Sequence, residues 1–232
     1  MKRWEIALVI ALSAALVAGT VAGWLPLDLT EVFGFVTGGI CVWLVVRQHI
    51  LNWPLGLANN AVFIVLFLQA RLFADMGLQL VYVVLGVLGW YWWLHGGEQR
   101  TQLNVARATP TTLLVLAALV ASGSGGLTLF LRSVGDAAPF LDALTTALSL
   151  AAQYLLTRKL IENWYVWIIA DIIYVGLYIA KGLPLTAALY ALFLGLCILG
   201  LREWQRSRTT EGDMSRREAA IATAPLGIPA RR

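Results

Sequence analysis

The chain has 232 residues, of which 59% are hydrophobic and 13% charged, with a mean hydropathy of +0.76. Soluble domains carry about 25% charged residues, so the composition excludes an ordinary soluble fold and points to an integral membrane protein. The formal charge of +4 calls for no nucleic-acid partner if the basic residues sit at the membrane surface.

Apolar stretches near 5–25, 30–46, 53–70, 76–94, 111–131, 140–157, 163–180 and 184–201 each approach the length a helix needs to cross a bilayer. They predict an all-α protein of eight transmembrane helices. The first follows MKR and has the shape of a signal peptide, but AGTVAGWLPL is a loose cleavage match, so residues 1–28 read as an extra N-terminal span. Residues 29–95 hold three spans, 96–138 a linker with one, and 139–206 three more. The polar, Arg-rich tail from 207 to 232 reads as disordered. Eight spans put both termini on one side. Placing that side in the cytoplasm leaves outside only Arg71, Arg132 and Lys181 of the 17 Lys and Arg residues, which is the asymmetry of the positive-inside rule.

A shift of 111 residues lays one half of the chain on the other without a gap. RQHILNWPLGLANN (47–60) meets RKLIENWYVWIIAD (158–171), so Arg47 pairs with Arg158, Asn52 with Asn163, Trp53 with Trp164 and Asn60 with Asp171. Further on, Gly89 meets Gly200 and Trp93 meets Trp204; upstream, Glu31 meets Asp142. The halves begin four spans apart and so share one orientation. Parallel three-helix repeats joined by a linker helix are a transporter architecture, with the pathway at the repeat interface.

Helical spacing then selects faces. Trp164, Trp167, Asp171, Tyr174 and Tyr178 form a stripe in the second half. Its counterpart, Trp53, Gly56, Asn60, Phe63 and Phe67, has glycine opposite Trp167 and an amide opposite the acid. One half is stripped back where the other is elaborated, as one asymmetric ligand between them requires. Asp75, Gln79, Tyr82, Gly86, Trp90 and Trp93 define a face of 76–94, and Asp142, Thr146, Ser149 and Gln153 a polar face of 140–157. Trp4, Trp24, Trp93 and Trp204, at span ends, also suit an interfacial belt, and Asn60 and Gln79 could glue helices together. An ionisable group at bilayer depth marks function, so Asp171 is central to the candidate ligand site. Trp164, Trp167, Asp171, Tyr174, Asn60, Gln79, Asn163 and Trp90 complete it.

These parts sum to a polar, aromatic-lined cavity of small negative charge. Aromatic faces bind flat rings and attract cations, whereas a phosphorylated ligand would find no inward Arg or Lys. Cys41 and Cys197 read as packing residues, and His49 and His95 lie near span ends. No metal-ligand cluster or cofactor motif is legible. SGSGG (122–126) lacks nucleophile-elbow spacing, and no phosphate-binding GxxxxGK[ST] loop occurs, so neither an enzyme nor a directly ATP-driven pump is expected. A scaffold protein would leave the mid-membrane polar stripes unexplained.

NWPLGLANN, FADMGLQLVYVVLGVLGWYWW and RKLIENWYVWIIAD resemble the PnuC family of vitamin transporters over roughly residues 29–206. The pairing of GWYWW with ENWYVW is fairly specific to that family. The resemblance implies a 3+1+3 helical core like a full-length SWEET transporter, here with the extra first helix, in the bacterial inner membrane. It implies facilitated diffusion of an unphosphorylated vitamin, most often nicotinamide riboside and in close relatives thiamine or riboflavin, trapped afterwards by a cytoplasmic kinase. It also suggests a homotrimer. A SWEET-like sugar uniporter is the rival within the class. The family pattern has asparagine where this chain has Asp171, and an acid there favours a cationic ligand.

Overall fold

The computed structural model describes residues 3–25, 29–69, 73–135, 138–180 and 182–223. They form eight helices: α1 (Arg3–Val21), α2 (Leu29–Val46), α3 (Asn52–Gln69), α4 (Phe73–His95), α5 (Pro110–Ser133), α6 (Pro139–Thr157), α7 (Glu162–Ala180) and α8 (Pro184–Thr223). A 3-10 turn covers Glu98–Arg100. No strand occurs among the described residues, only an isolated parallel bridge from Ala106 to Leu160. Lys2, Arg71, Leu72, Lys181, Arg231 and Arg232 lie outside the described residues, as do the side chains of Trp4, Glu31, Asp75, Arg216 and Arg217.

Every expected span folds as a helix, but five are long and apolar enough to cross a membrane: Met76–His95 of α4, then α5, α6, α7 and Pro184–Thr210 of α8. α1 and α2 contribute shorter apolar runs, Val9–Val21 and Val32–Val46. α3 is diluted by Asn52, Asn59, Asn60 and Gln69. The tail departs from its sequence reading: α8 continues as helix to Thr223 through residues expected to be disordered, while 224–232 lie outside the described residues.

Local chemistry sets the helix ends. Pro54, Pro110, Pro139 and Pro184 stand in first turns, where a missing N–H costs little. Thr109 caps α5 by accepting from the Thr112 amide at 3.1 Å. α2 and α6 stop with one shared motif. Gln48 and Lys159 take left-handed backbone (φ 53° and 54°), and their amides donate to Val45 O and Leu156 O, each at 2.9 Å. The next amides, of His49 and Leu160, donate to Leu44 O and Leu155 O, completing the double closure that ends helices in this way. All these positions are 111 residues apart.

Packing repeats the same duplication. α2, α3 and α4 pack in series, as do α6, α7 and α8, and the halves interlock through α2–α8 and α4–α6. α1 lies on α2, and α5 on α6. Four indoles run between the halves: Trp53 meets Trp93 edge-on at 5.3 Å, Trp93 meets Trp204 at 5.9 Å, and Trp204 meets Trp164 edge-on at 5.4 Å. The outer two lie on glycines: a Cβ at Gly89 would overlap the Trp53 ring, and one at Gly200 the Trp164 ring. The inner two cross between halves. Trp93 Nε1 donates to Leu156 O at 3.1 Å and Trp204 Nε1 to Val45 O at 3.0 Å, again positions 111 apart. Gly89→Ala and Gly200→Ala are each expected to destabilise the purified protein by about 1–3 kcal/mol through overpacking, read as a lower thermal unfolding midpoint. Gly123→Ala, on an exposed face of α5 with open space around it, is expected not to lower the midpoint, because a helical alanine there meets no neighbour and loses less chain entropy than glycine.

Candidate functional site: a cavity between the halves

The tryptophan row closes one end of the bundle, and a second aromatic group stands farther along it. Tyr174 and Tyr190 approach to 4.7 Å between ring centroids, Tyr178 stacks on Tyr190 at 5.1 Å, and Phe35 stacks on Phe193 at 6.0 Å. From Trp164 to Tyr174 is ten residues of α7, roughly 15 Å of helix. Between them lies a cavity of about 390 Å³. All six helices of the two halves line it; α1 and α5 contribute nothing among the described residues.

Six of the eight residues chosen from the sequence line this cavity: Asn60, Asn163, Trp164, Trp167, Asp171 and Tyr174. Gln79 and Trp90 do not. Trp90 is 37% exposed on the outside of α4, and the reason is helical phase. Tyr82 and Gly86 face the cavity, and a further step of four carries Trp90 about 80° round from Tyr82. A step of three then four instead keeps Gly89 and Trp93 on the inner side. The Gln79 carboxamide oxygen is buried without a partner among the described residues, away from the cavity lining.

Trp164 lines the cavity but is not free to stack on a ligand. One ring edge rests on Gly200, the indole meets Trp204 edge-on, and the residue is 1% exposed. It is a wall, whereas Trp167, one turn farther along α7, is half-buried and lines the same space. Gly56, the counterpart of Trp167, has no atom within 4 Å of where a Cβ would stand. The space on that side of the cavity is therefore made by a missing side chain.

Asp171 is the one carboxylate in the lining among the described residues, and neither Lys nor Arg appears there. It is 5% exposed, and Cys197 Sγ donates to Oδ2 at 3.4 Å. Both groups face the same space, so the carboxylate sits at the cavity wall with a weak thiol donor beside it. Ser149 lies against both the Tyr82 and Tyr174 hydroxyls, and Gln153 sits one turn farther along α6. Asn59 is tied to Thr37 of α2 through its amide nitrogen. Asn163 spends its Nδ2 on Leu160 O at 2.6 Å, which closes the α6–α7 turn. Its Oδ1 and the indole nitrogens of Trp53 and Trp164 are buried without partners among the described residues.

Sequence reasoning missed Cys41, Asn59, Tyr190, Phe193 and Cys197. The α8 residues were within reach, because Tyr190, Phe193 and Cys197 follow steps of three and four like the α7 stripe. No Asp, Glu, Lys or Arg marks that stripe, so its pattern reads as ordinary apolar packing.

A protein-family profile described as nicotinamide mononucleotide transporter matches residues 28–206. The nicotinamide riboside transporter PnuC of Escherichia coli (strain K12) is 28% identical over 218 residues, covering 82% of this chain and 91% of that one. The riboflavin/roseoflavin transporter RibM of Streptomyces davaonensis is 25% identical over 179 residues, covering 75% and 84%. The crystal structure of the vitamin B3 transporter PnuC superposes with a TM-score of 0.66 at 24% identity, covering 89% of this chain and 92% of that one. That likeness shows a shared fold.

Proposed function

The chain belongs to the nicotinamide mononucleotide transporter family, a family of multi-pass membrane transporters and not of enzymes, and from that premise we propose that it carries nicotinamide riboside by facilitated diffusion. The observation that carries this reading is the cavity: aromatic walls, one carboxylate, amides and hydroxyls, and no Lys or Arg among the described lining residues. A phosphate would bring a charge of about −1.5 to −2 into a space whose fixed charge is already negative. That supports the nucleoside over the nucleotide. The pyridinium ring is permanently cationic and flat, which suits Asp171 and Trp167 together.

In this reading Trp167 stacks on the ring and the space at Gly56 receives it. Asp171 pairs with its charge. Asn60, Asn163, Tyr174, Ser149 and Gln153 supply hydrogen bonds to the ribose hydroxyls and the carboxamide. The two halves, 29–95 and 139–206, are parallel three-helix repeats of a SWEET-like 3+1+3 core, with 96–138 as linker and 1–28 as an extra span. They rock against each other to alternate access. The protein sits in the bacterial inner membrane with both termini in the cytoplasm, forms a homotrimer, and relies on a cytoplasmic kinase to trap the vitamin. The duplicated capping turns and the crossed indole bonds support the repeat reading.

Titration of the purified protein with nicotinamide riboside, thiamine and riboflavin, followed by intrinsic tryptophan fluorescence, tests the substrate. Saturable quenching by nicotinamide riboside alone is expected. Tight binding of thiamine or riboflavin instead would reassign the vitamin, and the RibM relative makes riboflavin the pointed comparison. Silence with all three, together with binding of a sugar, would move the chain to the SWEET-like alternative.

Two substitutions test the site. Asp171→Asn, which removes the charge and keeps the shape, is expected to weaken nicotinamide riboside at least about tenfold, or about 1.4 kcal/mol. The uncharged dihydro form of the riboside, titrated in parallel, is expected to bind unchanged. Gly56→Val fills the open space opposite Trp167 and is expected to abolish saturable quenching while leaving the unfolding midpoint unmoved. Gly176→Val, likewise free of neighbours within 4 Å but outside the cavity lining, is expected to bind normally.

A further inference from the structure

The duplication places two equivalent seams, α4/α6 and α2/α8, between the halves at the end that carries Arg47 and Arg158, and they are built differently. Across α4/α6 a loop stitches the halves together. Leu103 N–H donates to Trp93 O at 3.1 Å, and Lys159 Nζ donates to Leu103 O at 2.8 Å. Ala106 and Lys159–Ile161 exchange backbone bonds of 3.2 and 3.0 Å, and Ala108 N–H donates to Glu162 Oε2 at 2.8 Å. The Arg158 guanidinium lies 4.7 Å from the centre of the Trp92 ring and the Lys159 ammonium 4.8 Å from that of Trp93.

Across α2/α8 the same positions carry different residues. Gln48 replaces Lys159, Leu51 replaces Glu162, and Glu203 replaces Trp92. The segment equivalent to 96–108 runs on as the extension of α8, so among the described residues no loop folds back over the 47–51 turn. Beside the indole bond from Trp204 to Val45, this seam shows an ion pair, Arg47 to Glu203 at 3.3 Å, with the side chains 31% and 42% exposed. A half-exposed pair is screened by solvent and adds little, whereas a backbone-paired loop must come undone at several points together. Both seams border the cavity, α2/α8 through Val42, Val45 and Cys197.

We propose that α2/α8 is the door through which the cavity opens at this end of the bundle, with Arg47–Glu203 as its latch and the loop-stitched α4/α6 seam as its fixed side. This goes beyond the substrate reading and needs no ligand to test, because native Cys197 reports on the cavity from within.

The experiment measures the rate at which a charged thiosulfonate reagent labels Cys197 in the purified full-length protein, resolved from Cys41 by peptide mass spectrometry. Glu203→Gln is expected to raise the rate about two- to fivefold, the range a half-exposed ion pair allows. Arg158→Gln, at the position equivalent to Arg47, is expected to leave it at the wild-type value. The charge swap Arg47→Glu with Glu203→Arg is expected to restore the wild-type rate, which general loosening of the fold would not do. The proposal is overturned if Arg158→Gln raises the rate as much as Glu203→Gln, if Glu203→Gln has no effect, or if the swapped pair stays fast. Failure of every vitamin to bind would leave this readout intact, so the two readings can fail separately.

Discussion

The structure depends on an indole laid across a glycine, made twice. Where Trp53 crosses Gly89 and Trp164 crosses Gly200, neighbouring helices come close enough for rings to fill the space that Cβ atoms would take. Small residues allow such approach inside membranes, where no hydrophobic force drives helices together and packing must do so. The close approach positions Trp93 and Trp204, whose N–H groups reach backbone carbonyls of the opposite half. An unmet indole N–H in an apolar interior is costly, so each bond both holds the halves together and sets their register.

That lock also defines the cavity. It closes one end at Val45 and Leu156, the acceptor residues, which themselves line the space. The other end is bounded by Tyr174, Tyr190 and Phe193, held by ring contacts. Between them the halves stop matching. Gly56 stands where the other half has Trp167, Asn60 where it has Asp171, and Gly38 where it has Ser149. Symmetric closure at the lock and asymmetric chemistry in the middle are what a duplicated frame needs to hold a single unsymmetrical molecule. The electrostatics follow from the same divergence, since the one lining carboxylate among the described residues belongs to one half alone.

The halves also diverge below the lock. Lys159 and Glu162 fasten the 96–108 loop, and the equivalents Gln48 and Leu51 cannot. A lysine that stacks on an indole while donating to a carbonyl combines two weak contacts in one residue, and its neutral counterpart offers neither charge nor reach. The two seams thus inherit one geometry and differ in how firmly it is held.

Much of this was written in the sequence. Apolar length located each of the eight helices, though not the extension of α8 through the polar tail, and the 111-residue shift named the pairs that the fold then places in equivalent contacts: Asn52 with Asn163, Trp53 with Trp164, Gly89 with Gly200, Trp93 with Trp204. Helical spacing brought Trp167, Asp171 and Tyr174 to one face, because three and four residues make a turn whatever the surroundings. Tertiary structure alone decided which rings are free. Trp164 and Trp167 share a stripe, yet Gly200 and Trp204, far along the chain, bury the first and leave the second open. Trp90 looked inward by steps of four and faces outward, because such steps overrun the helical period and only the neighbours fix the phase. Cys197 meets Asp171 by the same logic: spacing within a helix is local and legible, whereas the partner across a cavity depends on how two helices cross.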